Sequence, residues 1–156
     1  MKIKKYFSKI FIFLFIFIFS VSAFSSVRTE KSDIIKMVNN VRAEKNLPPL
    51  AENKKLNALA DKKAQIMAKE NNLSHTAGGY SSFSGILKEA DVKYLAAGEN
   101  IARNWKTPDD VMKAWLKSSG HRANILSNKF TQIGVGKAVN SKGDVYWVQL
   151  FIKERK

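Results

Sequence analysis

"FTQIGVGKAVNSKGDVYWVQLFIK", residues 130–153, decides the fold. Its halves, 130–139 and 144–153, are rich in β-branched and aromatic residues and read as two strands. "NSKG", 140–143, between them has the chemistry of a hairpin turn. An isolated hairpin is at best marginal in water, so other elements must cover it. The preceding chain supplies helices, and helices followed by a short antiparallel sheet make an α+β domain.

Working outward, "KTPDDVMKAWLKSS", 106–119, carries each helix-start signal: Thr107 as cap, Pro108 in the first turn, and Asp109 and Asp110 at the positive end. Val111, Met112, Trp115 and Leu116 form its apolar face. "AAGENIAR", 96–103, reads either as a strand or as a buried turn. "FSGILKEA", 83–90, fits a short helix, and "NNLSHTAGGYSS" before it is a loop by composition. At 53–71 Leu56, Leu59, Ala60, Ala64 and Met67 share one helical face, with Lys54, Lys55, Asp61, Lys62 and Lys69 off it. At 32–46 Ile34, Ile35, Val38 and Val41 recur with helical period behind Ser32 as cap. "LPPL", 47–50, stops that helix, since proline brings no N–H and the residue before it avoids helical geometry.

The first residues stand apart. "MKIKKYFSK" is cationic, "IFIFLFIFIF" is an unbroken apolar run, and Val21 and Ala23 carry the small-residue spacing of a cleavage site. Residues 1–23 therefore read as a secretory signal peptide, with 24–31 a flexible polar segment and 32–156 the folded domain. The apolar run is shorter than the ~20 residues of a spanning helix; an uncleaved anchor is the alternative. No transmembrane span is expected after processing. Cleavage removes four lysines and no acid from a net +14, leaving +10 on 133 residues.

A basic exported chain meets anionic surfaces, wall polymers or lipid headgroups, rather than nucleic acid. The lysines are spread along the sequence, as in "ENKKL", "DKKA" and "KERK", so an evenly solvated surface explains them equally well. The chain has no cysteine, which excludes thiol chemistry and disulfide staples and leaves packing alone to hold the domain. Secretion, to the medium, periplasm or cell envelope, is the expected destination.

Only two histidines occur, His75 in "LSHTAGG" and His121 in "SSGHRANIL". With Glu99, set among small residues in "AAGEN", they make a donor set of the kind that holds Zn2+ or another divalent cation, with water in a fourth position. Spacing alone does not bring three distant segments together. The alternative is that both histidines cap helix ends and that Glu99 pairs with backbone amides or Arg122. No Gly-x-Ser-x-Gly elbow is present, so a hydrolase reading would rest on Glu99 as general base. No catalytic residue beyond that candidate is assigned. Trp105, Trp115, Tyr146, Trp147 and Phe151 read as core; Tyr80, Phe83 and Tyr94 could line a groove.

Taken in order, "NNVRAEKNLPPL" (39–50), "KLNALADKKAQIMA" (55–68), "LSHT" (73–76), "GENIA" (98–102), "VMKAWLKSSGHRANIL" (111–126), "FTQIGVGKA" (130–138) and "YWVQLF" (146–151) resemble a bacterial member of the CAP superfamily. These SCP-domain proteins include cysteine-rich secretory proteins, antigen 5 and pathogenesis-related 1 proteins. The resemblance spans roughly 33–152. It implies an α-β-α sandwich with a three-stranded antiparallel sheet between helical layers, and a cleft lined by two His and two Glu. The family's residues fall on His75, Glu99 and His121; its second Glu falls on Ser118, so one carboxylate is missing here. Asn100, Arg122 and Asn124 are implied as supporting residues of the cleft. A secreted ligand-binding module for a small molecule, lipid or wall polymer is the implied function, with a metal-assisted peptidase as the alternative.

Overall fold

The structure, a computed structural model, describes residues 29–155. The expected signal peptide, 1–23, lies outside them, as does most of the segment 24–31. Residues 29–31 are helical, so the first helix, α1 (29–43), starts ahead of the Ser32 cap expected from sequence. The added turn is held in part by Lys31, whose Nζ sits 2.7 Å from Asp61 Oδ2.

The remaining elements are β1 (Ala51–Glu52), α2 (Lys54–Glu70), α3 (Gly85–Glu89), β2 (Tyr94–Arg103), α4 (Pro108–Lys117), α5 (Ser119–Ile125), β3 (Gln132–Val139) and β4 (Val145–Glu154). The sheet runs in the order β1-β3-β4-β2. The three long strands pair antiparallel, as expected. The correction is a fourth strand: β1, two residues long, pairs parallel with β3 through Ala51 and Glu52. It is the extended exit of the "LPPL" segment, which prolines keep out of helical geometry. Asn39 fixes that segment by pairing both amide atoms with the backbone of Leu50, at 2.8 and 3.0 Å.

The pleat of β4 assembles the two layers. Val145, Trp147 and Phe151 join Ile34, Ile35 and Val38 of α1, Val111, Met112 and Trp115 of α4, and Ile125 of α5 in one core. Tyr146, Val148, Leu150 and Ile152 point the other way, into a second core with Leu56, Ala60, Ala64 and Met67 of α2 and Ile86 and Leu87 of α3. A strand buried on both faces shows no polar alternation, as "VYWVQLFI" does not. The α-β-α sandwich is therefore what the resemblance implied. Among the described residues no helix is long and apolar enough to cross a membrane.

Helix α2 lies directly on β3. A Cβ at Gly134 would sit 2.3 Å from the carbonyl carbon of Leu56, and one at Gly136 only 2.1 Å from that of Ala60. Four helical residues rise about 6 Å and two strand residues about 6.6 Å, so both contacts repeat in step. The same step lets α2 satisfy the open edge of β3: Val135 N donates to Asn57 Oδ1 and Lys137 N to Asp61 Oδ1. This explains why β1 needs only two residues.

Candidate functional site

β2 is the edge strand beside β4, and its pleat splits the site residues. Glu99 shares a face with Ile101 and lies in register with Leu150, on the α2 side. Asn100 pairs with Gln149 and faces the α4–α5 side. "AAGENIAR" is thus a strand and not a turn.

His75 reaches Glu99 from the loop after α2. That helix ends at Asn71 in left-handed geometry, φ 51°. The next turn closes by Thr76 N and Ala77 N donating to Ser74 Oγ and Ser74 O, at 3.1 and 3.2 Å. His75 Nδ1 then lies 2.7 Å from Glu99 Oε1. The carboxylate is fully buried, while the imidazole is 52% exposed. Burial pushes the Glu99 acid above its usual range, opposed by the His75 hydrogen bond and the charge of Lys63. The second oxygen, Oε2, is buried and takes no hydrogen bond from the protein. A buried, bond-hungry carboxylate oxygen is costly unless something supplies a donor.

On the other face Asn100 Nδ2 donates to His121 O at 3.1 Å and to Gln149 Oε1 at 2.9 Å. Asn124 Nδ2 donates to Asn100 Oδ1 and to Glu99 O, at 2.8 and 3.2 Å. These amides pin α5, and with it His121, to the sheet edge. Burial and the nearby His75 imidazole hold His121 below its ordinary pKa of 6.5. Ser118 forms the α4–α5 junction, accepting from Arg122 N through its carbonyl. Arg122 Nη1 donates to Leu116 O at 2.6 Å, so Arg122 closes the end of α4 rather than pairing with Glu99.

The donor chemistry of two imidazoles and a carboxylate suits zinc. As placed, no three His, Cys, Asp or Glu side chains among the described residues are grouped to hold a metal ion. His75 spends Nδ1 on Glu99, and His121 is tied to the site through its carbonyl.

Sequence reading missed Lys63. Its Nζ is buried and donates to His75 O at 2.8 Å and Ala77 O at 3.0 Å. The signal was present: Lys63 falls on the same stripe as Leu56, Ala60 and Met67. Gln149 and Arg42, both buried, were also missed. Arg42 bonds Pro48 O, Ile125 O and Ser127 O at 2.8–2.9 Å, tying α1 to the end of α5.

With fold and site in view, the class is an α-β-α domain presenting a His–Glu pair at an edge strand. The chain belongs to the cysteine-rich secretory protein family, abbreviated CAP, whose profile matches residues 35–151. It is 39% identical over 133 residues to YkwD, an uncharacterized protein of Bacillus subtilis, covering 85% of this chain and 51% of that one. An extracellular SCP-domain protein from Bacillus anthracis superposes with a TM-score of 0.73 at 29% identity, over 81% of this chain and 41% of that chain. An outer surface protein from Borrelia burgdorferi shares the fold, with a TM-score of 0.77 at 19% identity over 83% and 96%. This chain thus spans about half the length of its first two relatives.

Proposed function

We propose that this chain is an exported CAP-domain binding module whose ligand docks against the exposed His75 ring, which the buried Glu99 carboxylate holds from behind. The observation that carries it is the short His75–Glu99 bond, with the carboxylate buried and the imidazole exposed. The extracellular description of its Bacillus anthracis relative supports export, as does the signal-like pattern of residues 1–23. A wall polymer or other polyol is the ligand class that best combines hydroxyl donors with an anionic surface.

The test is retention on purified cell-wall material at low and high salt. Glu99→Gln replaces an acceptor with a donor, and loss of one charge-assisted bond costs about 1.5–3 kcal/mol, a roughly 10- to 100-fold weaker affinity. Equal retention of wild type and Glu99→Gln, with both falling steeply in salt, would assign binding to surface charge instead.

A second reading is a divalent cation held by His75, Glu99 and His121. The unpartnered Glu99 oxygen favours it, and it requires the His75–Glu99 bond to open. Zinc uptake by wild type but not by His75→Ala/His121→Ala would establish it. Equal stoichiometry in both would remove it.

A further inference from the structure

We propose that Lys63 is the positioning residue of the His75–Glu99 pair, an inference that rests on reading that pair as the binding site. Lysine is almost never fully buried unless its ammonium is partnered. Here the partners are not carboxylates. They are two backbone carbonyls, those of His75 and Ala77, in the loop that delivers the imidazole. The ring of Tyr80 lies over the same ammonium, 5.2 Å away.

The loop needs such an anchor. It runs from Asn71 into Gly78 and Gly79, whose φ values of 88° and 74° mark backbone that glycine alone adopts readily. Glycines confer freedom, and beyond the Ser74 turn that holds Thr76 and Ala77 the loop's own sequence does little to stiffen it. Lys63 projects from the middle of a 17-residue helix packed on the sheet. It supplies a fixed point beneath that stretch. The four-carbon stem fills the apolar stripe between Ala60 and Met67, and the ammonium offers three rotatable donors. Two are used by the carbonyls, with the Tyr80 ring beside the ammonium. Glu70 adds a second tether farther on, accepting from Gly78 N at 3.2 Å. With the His75 carbonyl fixed, only the side-chain torsions remain to set the imidazole against Glu99. The cation also lies within electrostatic reach of that buried carboxylate.

The experiment uses the chain's two histidines, which make every imidazole signal assignable. In wild type the proton shared by His75 Nδ1 and Glu99 Oε1 should give a downfield NMR resonance. Lys63→Met keeps the stem and removes the donors. The folded variant is expected to lose that resonance and to exchange the 75–78 amides faster, while the His121 ring signals, on α5, stay in place. An unchanged shared-proton resonance in folded Lys63→Met would overturn the proposal. So would equal displacement of both histidines, which marks a general packing defect. If the variant does not fold, the wild-type protein decides. Scalar coupling from Lys63 Nζ to the carbonyl carbons of His75 and Ala77 supports the anchor, and its absence overturns it. None of these readouts uses a ligand, so they stand or fall apart from the wall-binding test.

Discussion

Replacing Gly136 with alanine isolates one contact. In most places such a change stabilises by about 0.4–1 kcal/mol, because it restricts the unfolded chain. Gly136 is not among the positive-φ glycines, so backbone strain plays no part. What matters is that the new Cβ would lie 2.1 Å from the carbonyl carbon of Ala60, where ordinary contacts begin at 3.4 Å. The obstacle is helix backbone, which cannot rotate aside. Helix α2 must move away by about 1 Å or more, parting the Ala60 layer from the sheet. Overpacking of this kind costs up to about 3 kcal/mol. For a domain of this size that lowers Tm by roughly 10 °C. Gly120→Ala is the control, since a Cβ there meets nothing within 4 Å and the residue is helical. It should stabilise by about 0.5–1 kcal/mol. Thermal unfolding followed by circular dichroism reads both. A Gly136→Ala protein as stable as wild type would refute the claim that α2 rests on β3 backbone.

His121 is expected to make the domain acid-sensitive. Its folded pKa lies below 6.5, so the unfolded chain binds the proton more readily; the stabilising contribution is intact above pH 6.5 and is lost as pH falls through the folded value. The raised Glu99 acid acts with the opposite sign, so the comparison is between wild type and His121→Asn in urea at pH 7.5 and 5.5, with a smaller loss in the variant. Arg42→Met should cost about 3 kcal/mol in urea unfolding, because three carbonyls around a buried guanidinium lose their donor. A change below 0.5 kcal/mol would mean those carbonyls find other partners. Casein and purified peptidoglycan should show no turnover; hydrolysis that vanishes in Glu99→Gln would put an enzyme in place of a binder.

Most of the fold was legible because hydrophobic period and cap chemistry agree. Thr107 caps α4 through its side chain onto Asp110 N, as the "TPDD" run predicts, and Asn53 does the same for α2. "AAGENIAR" was ambiguous because its middle carries Glu and Asn. Those polar groups find their partners far along the chain, Glu99 on His75 and Asn100 on His121, Asn124 and Gln149, and such pairing is not local information. The fourth strand was invisible for a related reason: two residues have no period. Of the site, the meeting of His75 and Glu99 followed from family resemblance, not from spacing. That Glu99 and Asn100 face opposite sides of the sheet follows from the pleat once the strand is known. Lys63 escaped notice because a lysine on an apolar stripe is read as noise until its acceptors, 12 and 14 residues away, are seen.

An unpaired strand margin invites a neighbouring molecule to dock there and begin a fibre. Because Asn57 and Asp61 already occupy the amides of Val135 and Lys137, the outer rim of β3 offers no such template. At that rim the domain, which has no covalent cross-links, thus carries its own guard against self-polymerisation, built from two side chains one helical turn apart.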